Sequence, residues 1–257
     1  MTRKGRLFFN HVASISRLSG QTLYWSFVAP FYRKAFSYKE LIFQMNRVGL
    51  GSFGIVSLIT FLIGMIICLQ SAYVAEPFGQ MDVVPGAVGA SLVREIAPLM
   101  AAIVLTGRVG AAYAAELGSQ KVNDEITALQ SMAINPIGFL IAPRFLAMMI
   151  MLPVLTVYGN VMGIFGGYLL GVYHYGIGHS VYIDTTFEFV QLKDVMSGLI
   201  KSVVFAFAIC MIGCYKGFTV MGGSTGVGKA TMEAVVLSLV MIIASDAVFT
   251  ALLIQYW

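Results

Sequence analysis

Hydrophobic positions along this chain fall into long runs separated by short polar segments. A helix that crosses a bilayer needs about 20 mostly apolar residues, and five stretches meet that length. The first, Gly49 to Ala75, carries no charge. The second, roughly Ala87 to Leu117, is interrupted by Arg94, Glu95 and Arg108. The third is Phe145 to Val172. The fourth is Val195 to Tyr215, with Lys201 near its start. The fifth is Met232 to Tyr256, with Glu233 at one end and Asp246 inside. None alternates with period two, and open sheet edges cannot exist in lipid, so strands are excluded as the spanning element. The pattern predicts an all-α integral membrane protein, with an N-terminal segment over residues 1–48 and a five-span domain over 49–257.

Composition agrees. Of 257 residues, 58% are hydrophobic and 11% charged, against about 45–50% and about 25% in an average soluble domain. So few charges cannot cover a soluble globule of this length. That excludes an ordinary cytosolic enzyme, a disordered protein and a nucleic-acid binder. Cys68, Cys210 and Cys214 are an odd count in apolar runs and read as packing residues rather than a disulfide framework. The basic start, MTRKGRLFFNHVAS, is not followed by an uninterrupted apolar stretch and a small-residue cleavage site, so no cleaved signal peptide is expected.

Charge then orients the spans. Residues 1–48 hold Arg3, Lys4, Arg6, Arg17, Arg33, Lys34, Lys39 and Arg47. The segment between spans two and three adds Lys121 and Arg144, and that between spans four and five adds Lys216 and Lys229. The opposite loops, about 76–86 and 173–192, hold no Lys or Arg but carry Glu76, Asp82, Asp184 and Glu188. Basic residues mark the cytoplasmic side, which predicts a cytoplasmic N-terminus and an external C-terminus. Within residues 1–48, Leu23, Tyr24, Trp25, Phe27, Val28 and Phe31, then Leu41, Ile42, Phe43 and Met45, mix with Arg33, Lys34 and Lys39. That mixture suits a helix lying in the headgroup plane.

Two glycine motifs invite a nucleotide reading and fail it. Gly49-Leu-Gly-Ser-Phe-Gly54 matches G-x-G-x-x-G, but a basic segment precedes it, an apolar span follows, and no acid appears until Glu76. The dinucleotide fingerprint needs a strand before it and an acid about 20 residues on. These glycines read instead as a close bend into span one. Gly223-Ser-Thr-Gly-Val-Gly228-Lys229-Ala230 approaches a phosphate loop, but Ala230 stands where Ser or Thr would hold Mg²⁺. It reads as a flexible turn, with Lys229 reaching to headgroups.

Span three carries Gly159, Gly163, Gly167 and Gly171 at four-residue spacing, with Gly166 beside them. Span two has Gly107, Ala111 and Ala115, with Gly110 and Ala114 alongside. Such ridges let helix backbones approach closely in lipid, either within one subunit or between two. Pro98 and Pro153 are expected to kink their helices. Charges inside spans are costly and raise functional hypotheses. A proton or ion relay uses such groups, but internal pairing of Arg108 with Glu116 or Asp246 is the expected arrangement. Arg94 and Glu95 differ: at a cavity mouth, Arg94 would meet a lipid phosphate, and Glu95 an amine or Arg94 itself. His11, His174 and His179 are too scattered for a metal site, and no catalytic triad falls at one depth.

Between spans two and three, Ile126, Leu129 and Met132 recur at i, i+3 and i+6 and predict a short amphipathic helix ended by Asn135-Pro136. Its position suits docking of a soluble partner, or otherwise a place flat on the membrane.

From about residue 40 to the C-terminus, the sequence resembles the MlaE-type (YrbE) permeases, membrane subunits of ABC transporters that work with MCE proteins. The matching stretches include Leu92-Val-Arg-Glu-Ile-Ala-Pro98, Leu105-Thr-Gly-Arg-Val-Gly-Ala-Ala112, Ala115-Glu-Leu-Gly118, Glu125-Ile-Thr-Ala-Leu129 and Met132-Ala-Ile-Asn-Pro136. They continue with Leu152-Pro-Val-Leu-Thr156, Gly163-Ile-Phe-Gly-Gly-Tyr168, Lys201-Ser-Val-Val-Phe205 and Gly226-Val-Gly-Lys-Ala-Thr231. The resemblance implies a homodimer in the bacterial inner membrane that moves phospholipid or related lipid to or from a periplasmic MCE ring, expected to be hexameric. A separate cytoplasmic ATPase dimer would hydrolyse ATP, so the chain itself would not be an enzyme and would need no cofactor.

The resemblance also implies a coupling helix at about Val122 to Pro136, with Asp124, Glu125, Ile126, Leu129, Met132, Asn135 and Pro136 toward the ATPase. It implies a lipid cavity lined by spans one, two and five at the dimer interface, with Tyr73, Arg94 and Glu95 in it and Leu69, Gln70 and Val74 beside them. Two departures stand out. Asn123-Asp124-Glu125 replaces a Thr-Glu-Gln run, and Lys229 replaces an Arg, which loses bidentate geometry. Competing classes are an ion-coupled secondary transporter, which needs repeat symmetry absent from five spans, a lipid-modifying membrane enzyme, and a structural scaffold.

Overall fold

A computed structural model describes residues 16–28 and 38–256. Arg3, Lys4, Arg6, His11, Phe31, Arg33 and Lys34, named above, lie outside them. Among the described residues there is no strand, and five helices are long and apolar enough to cross a membrane. After an N-terminal helical piece that ends in a π-turn at Tyr24–Val28, α1 spans Tyr38–Ala75. The second span, α2, covers Met81–Val122, α3 is Glu125–Ser131, and α4 covers Ile137–Tyr173. An unanticipated helix, α5, is His179–Phe189; then come α6 at Leu192–Phe218 and α7 at Gly223–Tyr256. The chain is therefore an all-α multi-pass membrane protein.

Several boundaries differ from the sequence reading. Residues 38–48 join the first span as one 38-residue helix, about 57 Å long at 1.5 Å per residue and longer than a hydrocarbon core of about 30 Å. Leu41, Ile42, Phe43 and Met45 thus belong to α1. No bend occurs at Gly49–Gly54, because the helix runs through them; Gly49 lies against the methyl of Met151. The expected turn around Gly223–Lys229 shrinks to the residues before Gly223, where Gly222 and Gly223 take φ of 91° and 69°. Lys229 already lies in α7. Lys193, in the first turn of α6, adds a basic residue just beyond the loop read as free of them. Helix α4 continues through Pro153, while the turn before Pro98 is a π-turn, Leu92–Ile96.

The described chain forms two compact units. One comprises residues up to Val48, Leu105–Ile150 and Ala206–Ile243; the other comprises Gly49–Val104, Met151–Phe205 and residues from Ala244. Every span contributes to both. In the first unit, Gly110 of α2 meets Ile209 and Gly213 of α6, and Leu117 and Gly118 meet Gly217 and Val220. In the second, the ridge of α4 is used up inside the chain. Gly163 faces the backbone of α1 at Gly64, Gly166 faces Phe61, and Gly167 and Gly171 accept the ring of Tyr182. The α4 ridge therefore packs within one subunit, as do Gly110 and Ala114 beside the α2 ridge, whereas an added Cβ on Gly107 would meet nothing within 4 Å. Helix α5 folds onto the start of α2, with Phe189 over Gly86 and Val190 against Gly89. Cys68, Ala72, Val84, Val88, Leu92, Ile177 and Tyr182 form the core there.

The α1–α4 crossing depends on missing side chains, because a Cβ on Gly64 would overlap the carbonyl of Gly163. Gly64→Val is expected to destabilise the protein by about 1–3 kcal/mol or more. Gly54→Ala, where nothing lies within 4 Å of an added Cβ, is expected to be neutral to mildly stabilising. Thermal unfolding in detergent compares the two.

Candidate functional site

The charged groups inside the spans of the second unit converge on α6. Lys201 is fully buried. Its ammonium donates to Glu95 of α2, donates to Thr250 Oγ1 of α7 at 2.6 Å, and pairs with Asp246 of α7 at 3.1 Å. Thr250 in turn donates to Glu95 Oε1 at 3.0 Å. About two turns earlier on α6, Asp194 accepts from Arg94 Nε at 2.7 Å and from the backbone N–H of Gln191 at 2.9 Å. Arg94 and Glu95 are thus each held by a counter-charge on α6 rather than by each other. Both remain reachable: the side chains are 52% and 37% exposed, while Asp194 and Lys201 are 8% and 0%.

Local backbone explains how neighbours in sequence serve two different partners. Arg94 and Glu95 sit on the π-turn Leu92–Ile96. Such a turn adds a residue to the helical repeat and re-aims the side chains on it, a device frequent at functional sites. A second π-turn, Thr106–Gly110, carries Arg108. It breaks the phase between Arg108 and Glu116, so the expected pairing of Arg108 with Glu116 or Asp246 is not what forms. Glu116 instead bonds Arg47 of α1 and Arg144 of α4, the latter at 3.1 Å. Arg108 Nη1 donates to the Arg47 carbonyl at 3.2 Å, and Asp246 belongs to Lys201. Internal pairing was the right kind of answer, with other partners.

The remaining residues expected at a lipid site lie on the last turns of α1. Leu69, Gln70, Tyr73 and Val74 are all exposed, Tyr73 by 78%. Gln70 and Val74, one turn apart, line a cavity of about 450 Å³ with Ser71, Phe78, Gln80 and Val83. Leu69 and Tyr73 form the adjacent stripe outside it. Arg94 and Glu95 do not line this cavity.

In the first unit, the short helix between spans two and three exists as α3. Asp124 enters it with φ of 58°, a left-handed conformation that Asp tolerates. It ends at Ser131, four residues before the expected Asn135-Pro136 stop. Ala133 at φ 58° closes it, with its N–H on the Gln130 carbonyl and the Ile134 N–H on that of Leu129, the double bond of a Schellman turn. Asn135 serves the next helix, its Oδ1 accepting the Ile137 N–H at 2.9 Å, and Pro136 is buried. The apolar stripe is graded. Ile126 is 3% exposed and packs inside, Leu129 is half-buried, and Met132 is 62% exposed. Asp124, Glu125 and Asn135 are exposed. A cavity of about 550 Å³ opens between Trp25, Gln130, Ile134, Asn135 and Phe139, with the Trp25 ring pressed on Gly138.

Sequence reasoning missed Lys201, Asp194, Thr250, Arg47 and Arg144 as partners. A lone Lys and a lone Asp in two apolar spans were the available signal, since each needs a counter-charge in lipid. For α5, the signal was Tyr182, Thr186 and Phe189 at i, i+4 and i+7.

Residues 41–252 match the family Permease MlaE. The chain is 38% identical over 212 residues to a protein of Rickettsia typhi named Probable ABC transporter permease protein, covering 82% of each. It is 34% identical over 214 residues to the Intermembrane phospholipid transport system permease protein MlaE of Haemophilus influenzae, covering 83% of this chain and 82% of that one. It is also 34% identical over 218 residues to the chloroplastic protein Trigalactosyldiacylglycerol 1 of Arabidopsis thaliana, covering 85% of this chain and 62% of that one. This chain belongs to the MlaE family of ABC transporter permeases.

Removing the central cation exposes how much it holds. Lys201→Met strands Glu95 and Asp246 without their ammonium and is expected to cost about 3–5 kcal/mol, the range for breaking a buried pair. Adding Asp246→Asn to Lys201→Met is expected to restore part of that loss. Melting temperatures of the two variants in detergent measure the coupling.

Proposed function

We propose that this chain is the membrane subunit of an ABC-type transporter that moves phospholipid, or a related lipid, between the bacterial inner membrane and a periplasmic MCE-domain partner. The observation that carries the reading is the Arg94–Glu95 pair. Two adjacent charges within a span stay accessible while buried counter-ions hold them in place. A zwitterionic headgroup presents a phosphate, which suits the Arg94 guanidinium, and an amine, which suits the Glu95 carboxylate. Leu69, Gln70, Tyr73 and Val74 offer apolar and aromatic surface for the acyl chains. Names borne by relatives, among them an intermembrane phospholipid transport permease, support the same substrate class.

Energy comes from a separate cytoplasmic ATPase dimer seated on α3. The stretch that resembles a phosphate loop is the start of a helix, so this chain offers no nucleotide cradle there. Met132, Asp124, Glu125 and Asn135 face that partner, while Ile126 roots α3 in its own unit. Closure of the ATPase dimer moves the two α3 helices together and squeezes lipid from an outward cavity. The subunit pairs with a second copy through the uncovered apolar faces of α1 and α7, where Leu58, Leu62 and Ile66, and Val236, Val240 and Ile243, are exposed. The excess of basic residues in the N-terminal segment and inner loops supports an N-terminus in the cytoplasm and a C-terminus in the periplasm, beneath the MCE ring. A second reading, ion-coupled transport, draws on the two carboxylates that share Lys201.

Reconstitution with the ATPase, the MCE partner and a fluorescent phospholipid tests these assignments. Arg94→Ala and Glu95→Gln are each expected to lower ATP-dependent transfer about tenfold, the effect of one lost charged hydrogen bond. Undiminished transfer removes the pair from the lipid path. Leu129→Arg with Met132→Glu is expected to abolish ATPase copurification and lipid-stimulated hydrolysis. Transfer driven by a proton gradient without ATPase favours the second reading.

A further inference from the structure

A cavity of about 520 Å³ lies between α4 and α5, and none of its lining residues belongs to the sites above. Its walls are Ile164 and Phe165 of α4 and Ile183 and Phe187 of α5, with the buried ring of Tyr182 behind them. At its rim, the Tyr168 hydroxyl lies 2.7 Å from His179 Nδ1, and the two rings meet edge to face. Burial keeps the Tyr182 phenol above its ordinary pKa, so the wall is neutral.

We propose that this cavity holds one acyl chain of a membrane phospholipid, with the glycerol-phosphate region of that lipid at His179 and Tyr168. Three observations carry the assignment. Phe187 is 78% exposed although it stands on a helix outside the five spans. Asp184 and Glu188 beside it are exposed as well, so α5 is two-faced in the manner of a helix lying at a membrane surface. The lining is almost wholly apolar and aromatic, with Val161, Ile164, Phe165, Ile183 and Phe187 around the opening, a surface that suits a hydrocarbon chain.

The rim supplies the polar end that an amphiphile requires. In the tautomer in which Tyr168 donates to Nδ1, Nε2 carries an N–H for a phosphate or ester oxygen. Tyr rings are themselves favoured at headgroup depth. The site lies at the end of α4 remote in sequence from the basic loops, and it does not depend on how lipid is transported.

Photo-labelling tests the site on the full-length chain. The chain is placed in nanodiscs of phosphatidylethanolamine and phosphatidylglycerol with a trace of phosphatidylcholine bearing a diazirine near its acyl terminus. Irradiation is expected to place adducts in peptides spanning 161–168 and 183–190, above the level on the exposed stretch 236–248. Val161→Trp, at an exposed lining position, fills the cavity and is expected to cut those adducts about fivefold or more while sparing the others. His179→Ala, at an exposed position, is expected to cut them about two- to tenfold through one lost hydrogen bond, with the melting temperature unchanged. Millimolar inorganic phosphate is expected to have no effect. The proposal is overturned by adducts no more frequent here than on 236–248, by adducts that persist in Val161→Trp, by competition from free phosphate, or by protein cross-links replacing lipid ones in the complex.

Discussion

A lysine ammonium with no solvent contact, set within an apolar helix, constrains this molecule more than any other group. An unpaired charge at that depth costs several kcal/mol, so Lys201 forms only if carboxylates come to it. Glu95 arrives from α2 and Asp246 from α7, and Thr250 bridges the cluster by bonding both Lys201 and Glu95. Three spans are thereby registered around one nitrogen. Of the two carboxylates that share the ammonium, Glu95 is the more exposed. Asp194, on the same helix as Lys201, fixes Arg94. The adjacent, accessible cation and anion on α2 owe their placement to two buried residues of α6.

Close packing makes that convergence geometrically possible. Lipid supplies no hydrophobic drive for helices to associate, so contact between backbones does the work. Gly64 with Gly163 joins α1 to α4, and Gly110 with Gly213 joins α2 to α6. Uncovered on α1 and α7 are aliphatic side chains, among them Leu58, Leu62, Ile66, Val236, Val240 and Ile243, a surface compatible with hydrocarbon. The charge cluster of the other unit follows the same logic, with Glu116 shared by Arg47 and Arg144 and the Arg144 guanidinium stacked over Tyr113.

Much of this was legible along the chain. Apolar runs located five spans, Arg94 and Glu95 stood out as charges in lipid, and Ile126, Leu129 and Met132 marked a short helix where α3 lies. The errors have specific causes. Arg108 and Glu116 are two turns apart on an ideal helix, but the π-turn at Thr106–Gly110 removes that phase. Asn135-Pro136 looked like a helix stop, yet Ala133 had already ended the helix in a left-handed conformation that its side chain gives no hint of. Ile126 and Met132 share a stripe by spacing but not an environment, since one packs inward and the other is open.

Composition and periodicity by themselves determined that the chain lives in a bilayer, how often it crosses, and which residues are too polar for their surroundings. These follow from transfer free energy, which each residue carries wherever it sits. Only the tertiary structure decided which charge meets which, that the α4 glycine ridge binds α1 and α5 of the same chain, and that α5 folds over the start of α2 to leave a cavity beside Tyr182. Those outcomes depend on the distance and angle between segments far apart in sequence. A hydrogen bond or a backbone crossing switches on or off within about an ångström, a precision that no one-dimensional pattern contains.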